Sequence, residues 1–268
     1  MSDHLIKQMP DKSRILAIAN QKGGVGKTTT AINLATALAA VKKKVLIIDL
    51  DPQGNASTGL GLTQEDRALN TYHVLIDGVS LEETIRPTDI PNLQIVPSGI
   101  DLTGAELELV DIPEREYCLK KALQGVEEKF DYILIDCPPA LGLLTVNSLV
   151  AAQAVLVPLQ CEFFALEGIS HLSRTIERVA SKFNPGLEIQ GIVLTMFDKR
   201  NNLSGMVAED VRAFFGDKVY NTIIPRNVRV SEAPSYGRPV LVYDIACAGS
   251  QAYLHLASEV IHREGIHV

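Results

Sequence analysis

Residues 20–29 read NQKGGVGKTT, and this stretch decides the fold. A short apolar run, residues 14–19, leads into it, and a helical pattern begins at Thr28. A strand, a glycine-rich turn and a helix N-terminus in this order are typical of a phosphate-binding loop. The glycines let backbone N–H groups close around phosphate oxygens, and the start of the helix adds the positive end of its dipole. The stretch therefore predicts nucleotide binding.

Two side chains of this loop have separate expected roles. Lys27 supplies a positive charge to the β- and γ-phosphates, and the Thr28 hydroxyl binds Mg²⁺. The loop residues expected to contact the nucleotide are Gly23, Gly24, Val25, Gly26, Lys27, Thr28 and Thr29.

Outside this loop, short apolar runs alternate with longer amphipathic segments. Runs of this kind are typical of strands buried on both faces of a parallel sheet. The predicted strands are residues 14–19, 44–49, 93–97, 132–136, 154–160, 190–196 and 219–224. The predicted helices are residues 28–40, 101–109, 115–127, 166–182, 204–215 and 250–264. This alternation predicts an α/β fold of the P-loop NTPase type, with a doubly wound, mostly parallel sheet and helices on both faces.

Length and composition are consistent with one folded unit. A chain of 268 residues with 46% hydrophobic residues can bury a core without disulfides or metal. We expect a flexible N-terminal tail at 1–13 and a single P-loop ATPase domain at 14–268. The four cysteines lack metal-ligand spacing, which favours reduced thiols. No stretch has the length of a membrane span, and the N-terminus lacks the apolar core of a signal peptide, so a cytoplasmic protein is predicted.

Charge is unevenly distributed along the chain. The net charge of −7 argues, taken alone, against a dedicated nucleic-acid-binding protein. Residues 65–116 hold 12 Asp and Glu against 3 Lys and Arg, a net charge of −9. Residues 171–230 hold 9 Lys and Arg against 6 Asp and Glu, a net charge of +3. The acidity is therefore concentrated in one segment, and another segment is mildly basic.

Carboxylates stand at the ends of two predicted strands. Asp49 and Asp51 are two residues apart, so they point the same way at the carboxyl edge of the sheet, where ligands bind in such folds. One or both can contact the hydration shell of Mg²⁺ or the attacking water. Asp136 ends a run of the Walker B form and can hold Mg²⁺ through water.

The phosphate loop carries a second lysine. Position 21 is Gln where the common P-loop pattern has Gly, and residues 22–28 read KGGVGKT. This resembles the deviant Walker A loop of the ParA/MinD ATPase superfamily. The resemblance implies that Lys22 also contacts ATP or ADP, by reaching across a dimer interface to the nucleotide held by the partner.

The acidic segments resemble the same family. Residues 49–55, DLDPQGN, look like its switch I, and residues 136–139, DCPP, look like its switch II. The resemblance implies a catalytic set of Lys22, Lys27 and Asp51, in which Asp51 activates or orients the hydrolytic water. It implies a magnesium set of Thr28, Asp49 and Asp136, in which Asp49 supports the metal site.

The C-terminal third adds a more specific resemblance. Residues 224–229, IPRNVR, and 231–235, SEAPS, look like segments of the chromosomal ParA (Soj) group. In related ATPases this loop lies against the adenine base, which implies base contacts by Pro225 and Asn227. An Asn amide can satisfy the adenine amino group or a ring nitrogen.

The resemblance also implies a cycle of DNA partitioning. In that family, ATP-bound homodimers bind double-stranded DNA without sequence preference, and a ParB-type partner stimulates hydrolysis and releases them. Such a protein is cytoplasmic and nucleoid-associated. Binding to the DNA backbone requires Lys and Arg, and the mildly basic segment supplies them. The expected DNA-binding residues are Lys199, Arg200, Lys218 and Arg229.

A MinD-like membrane-associated positioning ATPase is the main alternative. That group carries a C-terminal amphipathic helix with several Lys and Arg on its polar face. In residues 254–268 of this chain, Arg263 is the only Lys or Arg, and Glu259 and Glu264 offset it. The tail therefore favours the partition ATPase, with no membrane partner.

Overall fold

The computed structural model describes residues 13–265, which contain one eight-stranded sheet. The strands are β1 Arg14–Ile18, β2 Val45–Asp49, β3 Arg86–Pro87, β4 Leu93–Val96, β5 Tyr132–Asp136, β6 Ala154–Gln160, β7 Glu188–Phe197 and β8 Val219–Pro225. Their order in the sheet is β3-β4-β2-β5-β1-β6-β7-β8. The short edge strand β3 pairs antiparallel with β4, and the other pairs are parallel. The predicted fold class is confirmed.

Helices cover both faces of this sheet. They are α1 Lys27–Ala40, α2 Asn55–Gly59, α3 Leu81–Thr84, α4 Leu102–Glu108, α5 Cys118–Ala122, α6 Leu143–Ala151, α7 Ala165–Lys182, α8 Asn202–Phe215, α9 Val228–Glu232, α10 Val240–Tyr243 and α11 Ala248–Arg263. Residues of α1, α10 and α11 build one hydrophobic cluster against the sheet, and residues of α4 to α8 build the other. None of the helices between residues 13 and 265 combines the length and apolar character that a membrane crossing requires.

One predicted helix is shorter than expected, and one helix was not predicted. The helix expected at 115–127 is a short 3₁₀ turn followed by α5, which already ends at Ala122 because the chain turns at Gly125, where φ is positive. Helix α6 was missed altogether. Seven of its nine residues are buried, so the segment shows no polar stripe from which a helical period is read.

The predicted boundary between the N-terminal tail and the domain, at residue 13, can be compared with the structure only from Ser13 onwards. Residues 1–12 of the expected tail lie outside the described residues. Ser13, which we assigned to that tail, is buried, and its hydroxyl donates to the backbone carbonyl of Phe130. Ser13 is therefore part of the folded domain and not of the expected tail.

Strand register brings the acidic strand ends together. Asp136 at the end of β5 is level with Asp49 at the end of β2 and with Ile18 at the end of β1. Because these strands are parallel, their carboxyl ends meet at one edge of the sheet. The phosphate loop leaves β1 at the same edge, so the loop and the carboxylates lie together.

Two glycines bring the end of α2 against the loop before α10. Gly61 and Gly237 both have positive φ, 82° and 62°. A Cβ built on Gly237 would lie 2.8 Å from the Cα of Gly61, and one built on Gly61 would lie 3.0 Å from the carbonyl oxygen of Gly237. The two backbones are therefore in direct contact, and neither position has room for a side chain.

We expect Gly237→Ala to lower the free energy of unfolding by about 3 kcal/mol, because backbone strain and a steric clash add together. Gly78→Ala is the matched control, since Gly78 also has positive φ, 70°, but faces open space. It should cost only about 1 kcal/mol. Urea unfolding of both variants measures the difference. Equal losses of unfolding free energy in the two variants would show that the close contact with Gly61 does not add to the cost of the Gly237 substitution.

Candidate active site

The phosphate loop is fixed at both ends. Asn20 is buried; its amide donates to the carbonyl of Pro158 on β6 at 2.7 Å and accepts from the backbone N–H of Lys22 at 3.0 Å. Gly26 precedes α1 in a left-handed conformation, which turns the chain into the helix. The loop is thus held in shape by β6 and by α1.

Lys27 lies under this loop rather than in solvent. It is 7% exposed, and its ammonium donates to the carbonyl oxygen of Lys22 at 3.0 Å. Burial lowers the pKa of Lys27, and the negative charges of Asp136 and Asp51 oppose that shift. The amine therefore sits between the loop and two carboxylates, where it can meet phosphate oxygens.

Asp49 is fully buried and ties β2 to α2. One of its oxygens accepts from the backbone N–H of Ser57 at 2.9 Å and from the Ser57 hydroxyl at 2.7 Å. The other accepts from the backbone N–H of Asp51 at 3.2 Å. Burial raises the pKa of Asp49 to about 6, and the Ser57 hydrogen bonds oppose that rise. These contacts fit a supporting role, and direct metal binding by Asp49 stays a prediction.

Asp51 lies in an ordered turn at the same edge. One carboxylate oxygen accepts from the backbone N–H of Gln53 at 3.0 Å. Its backbone carbonyl accepts from Gly54 at 2.8 Å and from the Ser98 hydroxyl at 2.7 Å. Within residues 13–265 the second carboxylate oxygen accepts no hydrogen bond, which leaves it free to orient a water molecule.

Asp136 is the one carboxylate of the three whose oxygens both lack a partner. Both are buried and have no well-formed hydrogen bond within residues 13–265, although the Thr28 hydroxyl is close enough to favour the charged carboxylate. Burial raises the pKa of Asp136 well above its ordinary range, and the adjacent Asp49 raises it further, while Thr28 and Lys27 act in the opposite direction. A buried carboxylate with a Thr hydroxyl beside it supplies the hard oxygen ligands that Mg²⁺ prefers. The residues present therefore fit the implied metal.

Lys22 points away from the loop. Its side chain is half exposed and forms an ion pair with Glu162 of the same chain. Phe163 and Phe164 follow Glu162 and are 75% and 66% exposed. An exposed ion pair contributes little to stability, so Lys22 is able to exchange its partner. Contact with a partner subunit's nucleotide stays a prediction.

Pro225 ends β8, and Asn227 follows two residues later at the same edge of the sheet. The Asn227 side-chain oxygen caps α9 by accepting from the backbone N–H groups of Arg229 and Val230. Its NH₂ group makes no hydrogen bond within residues 13–265. Of the two base contacts that we predicted, donation to an adenine ring nitrogen is therefore the one that the geometry favours.

The four predicted DNA-binding residues do not form one patch. Lys199, Arg200 and Arg229 follow the carboxyl ends of β7 and β8. Lys218 precedes β8, whose seven residues span about 20 Å, and it pairs with Glu188 at the opposite edge. Placing Lys218 with the others was therefore wrong.

A basic residue that was not predicted, Arg226, joins Lys199, Arg200 and Arg229 at the carboxyl edge of the sheet. Arg226 is exposed, and its backbone N–H donates to the carbonyl of Phe197 at 3.0 Å, so it lies next to the end of β7. Within residues 13–265, its guanidinium has no ion pair. In the segment IPRNVR, only Arg229 was assigned to DNA binding, and Pro225 and Asn227 to the base.

Two serines and an arginine at the site were also missed. The Ser98 hydroxyl donates to the backbone carbonyl of Asp51, and the Ser98 backbone N–H donates to the Ser57 hydroxyl at 3.0 Å. Since the Ser57 hydroxyl donates to the Asp49 carboxylate, one network links that carboxylate to the Asp51 turn. Arg67 contacts the loop after Asp51. Neither Ser98 nor Arg67 lies in a recognisable motif, because each reaches the site from a distant part of the chain.

A sheet of this order, with a phosphate loop at the end of β1 and carboxylates at the ends of its neighbours, is that of a P-loop ATPase. A family model described as an AAA domain matches residues 13–189. The chain is 61% identical over 253 residues to the chromosome partitioning protein ParA of Caulobacter vibrioides, covering 94% of this chain and 95% of that protein. The chain belongs to the ParA/Soj family of chromosome partitioning ATPases, as its two-lysine loop indicated.

A second relative and a solved structure are also similar to this chain. The sporulation initiation inhibitor protein Soj of Bacillus subtilis is 51% identical, covering 92% of this chain and 98% of that protein. A structure from Mycobacterium smegmatis, titled cobyrinic acid a,c-diamide synthase with bound ATP analog and magnesium, is 37% identical with a TM-score of 0.83. It covers 94% of this chain and 96% of that one.

Proposed function

We propose that the protein hydrolyses ATP to ADP and phosphate in order to partition a chromosome or plasmid. The observation that carries this proposal is the juxtaposition of Lys27, Asp51 and Asp136 at one sheet edge, in a chain 61% identical to a chromosome partitioning ParA. The ATP analog and magnesium in the structure from M. smegmatis support the same ligands here.

The residues of the site divide the chemical work. The loop backbone and Lys27 bind the β- and γ-phosphates, while Asp51 orients the attacking water with its free oxygen. Asp136 and the Thr28 hydroxyl hold Mg²⁺, and Asp49 keeps β2 and α2 in place around them. When bound, Mg²⁺ neutralises charge that develops on the phosphates.

The partition cycle adds a second subunit, a ParB-type partner and DNA. Lys22 leaves Glu162 and reaches the phosphates of the partner subunit, so that the homodimer depends on ATP. The dimer binds double-stranded DNA without sequence preference, and ParB-stimulated hydrolysis releases it from the nucleoid. A ligand controls such a switch only through contacts that differ between the two states, and the γ-phosphate supplies them.

The basic residues at the carboxyl edge support the DNA step. Arg200 pairs with Asp198 at 2.9 Å, but its side chain is 89% exposed, so this ion pair is weak and phosphate can replace it. Arg229 pairs with Glu232 at 3.0 Å and is also exposed. A homodimer doubles this surface, so weak binding by one subunit becomes strong binding by two.

We expect Arg200→Ala to weaken duplex DNA binding of the ATP-bound protein by about tenfold and to reduce its salt dependence, because a phosphate contact is lost. Lys218→Ala is the matched control at the opposite edge and should bind like the unaltered protein. Fluorescence anisotropy with ATP and with ADP, at several salt concentrations, measures both effects. Equal DNA affinity in the two nucleotide states would disprove the switch.

A further inference from the structure

Arg67 lies across the turn that carries Asp51. It ends a short 3₁₀ turn, Glu65–Arg67, and its side chain is half buried. The guanidinium donates to the carbonyl of Leu62 at 2.9 Å, to the Thr58 hydroxyl at 3.0 Å and, at a longer 3.5 Å, to the carbonyl of Gly54. One planar group thus spans the start and the end of α2.

The Gly54 contact leads directly to Asp51. The backbone N–H of Gly54 donates to the Asp51 carbonyl at 2.8 Å, so the residue whose carbonyl Arg67 contacts also closes the Asp51 turn through its N–H. A Cβ built on Gly54 would lie 3.1 Å from the Arg67 guanidinium, so the approach is close. Movement of Arg67 therefore moves the turn in which the Asp51 carboxylate is oriented.

Few other groups hold the outer side of this turn. Pro52, Gln53 and Gly54 line an open cleft of about 590 Å³. Ser98 holds the Asp51 carbonyl from one side. On the other side the Gly54 carbonyl accepts from the backbone N–H and the hydroxyl of Thr58, both at 3.0 Å, and from Arg67 at 3.5 Å. Because Arg67 also donates to the Thr58 hydroxyl, it acts on Gly54 both directly and through Thr58. The position of the turn thus depends on a small number of hydrogen bonds.

The Arg67 guanidinium also has one N–H group without an acceptor. Its Nε–H is buried, and no acceptor within residues 13–265 is in hydrogen-bond reach. Unpaired buried donors are rare in folded proteins and call for an explanation. A guanidinium with a spare donor can keep hold of the turn when the turn shifts during the nucleotide cycle.

We propose that Arg67 is a positioning residue for ATP hydrolysis, which holds the turn after Asp51 so that the carboxylate faces the attacking water. This inference rests on the proposed role of Asp51. Arg67 touches neither phosphate nor water in this scheme. Its loss therefore alters the rate of the chemical step and leaves nucleotide binding unchanged.

Arg67→Ala should lower kcat by about tenfold to a hundredfold, because displacement of a catalytic group has effects of this size. KM and the affinity for a fluorescent ATP analog should change by less than about twofold. Arg67→Lys restores a positive charge but not the fork of donors, and should recover part of kcat. Arg212→Ala is the matched control, since Arg212 is also half buried and donates to a backbone carbonyl, that of Tyr220 at 3.0 Å, but near the start of β8 and away from Asp51.

A double variant tests whether Arg67 acts through Asp51. If it does, Arg67→Ala combined with Asp51→Ala turns over no more slowly than Asp51→Ala alone. Additive losses, or a fall in nucleotide affinity equal to the fall in kcat, would overturn the proposal and leave Arg67 a stabilising residue only. Normal turnover by Asp51→Ala alone would instead refute the assigned role of Asp51, which is a different outcome.

Discussion

Asp51→Ala is expected to bind ATP about as tightly as the unaltered protein and to hydrolyse it at least about a hundredfold more slowly. The phosphate contacts come from the loop backbone and Lys27, so they survive the substitution. The substitution removes the Asp51 carboxylate oxygen that accepts no hydrogen bond from any group in residues 13–265 and is therefore free to orient water. Because product formation is blocked after binding, the variant should remain an ATP-bound dimer.

Three measurements on one sample separate binding from chemistry. Phosphate release gives turnover, a fluorescent ATP analog gives affinity, and light scattering after gel filtration gives the mass with ATP or ADP. Asp77→Ala is the control, since it removes an exposed carboxylate from the acidic segment. Turnover by Asp51→Ala equal to that of the control would move the catalytic role to another residue.

The parts of the site that the sequence predicts are those encoded by neighbouring residues. A buried parallel strand is a continuous apolar run, and the polar residue that ends the run marks the carboxyl edge. Asp49 and Asp136 end such runs, and the structure places them level with each other in adjacent strands. The position of Lys27 beside these carboxylates is predicted in the same way, from the local pattern of the phosphate loop.

The parts that the sequence does not predict depend on contacts between distant residues. Ser98 reaches Asp51 across 47 positions of the chain, and no local pattern marks it. Helix α6 is buried nearly all round, so its hydrophobic residues have no visible period. Lys218 belongs to the basic segment of the sequence but lies at the opposite edge of the sheet from Arg200 and Arg229. Residues that are close in sequence are separated here because strand β8 runs between them.

Asp136→Asn is expected to stabilise the nucleotide-free protein and to abolish its response to magnesium. Burial and the negative charge of Asp49 raise the pKa of Asp136 above its ordinary 3.8. The folded protein therefore holds a proton that the unfolded chain releases, so the free energy of unfolding falls as pH rises above about 4. An amide carries no charge, and we expect it to add about 1–3 kcal/mol of stability at neutral pH.

The same change removes the carboxylate that fits Mg²⁺. Titration of Mg²⁺ should tighten binding of an ATP analog to the unaltered protein but not to Asp136→Asn, and turnover should fall at least about a hundredfold. Asp89→Asn is the control for both effects, because Asp89 is exposed. A less stable Asp136→Asn would mean that the carboxylate has a partner in solution, whereas a retained response to magnesium would mean that other groups bind the ion. Stability and metal response are measured separately, so each assignment is tested independently of the other.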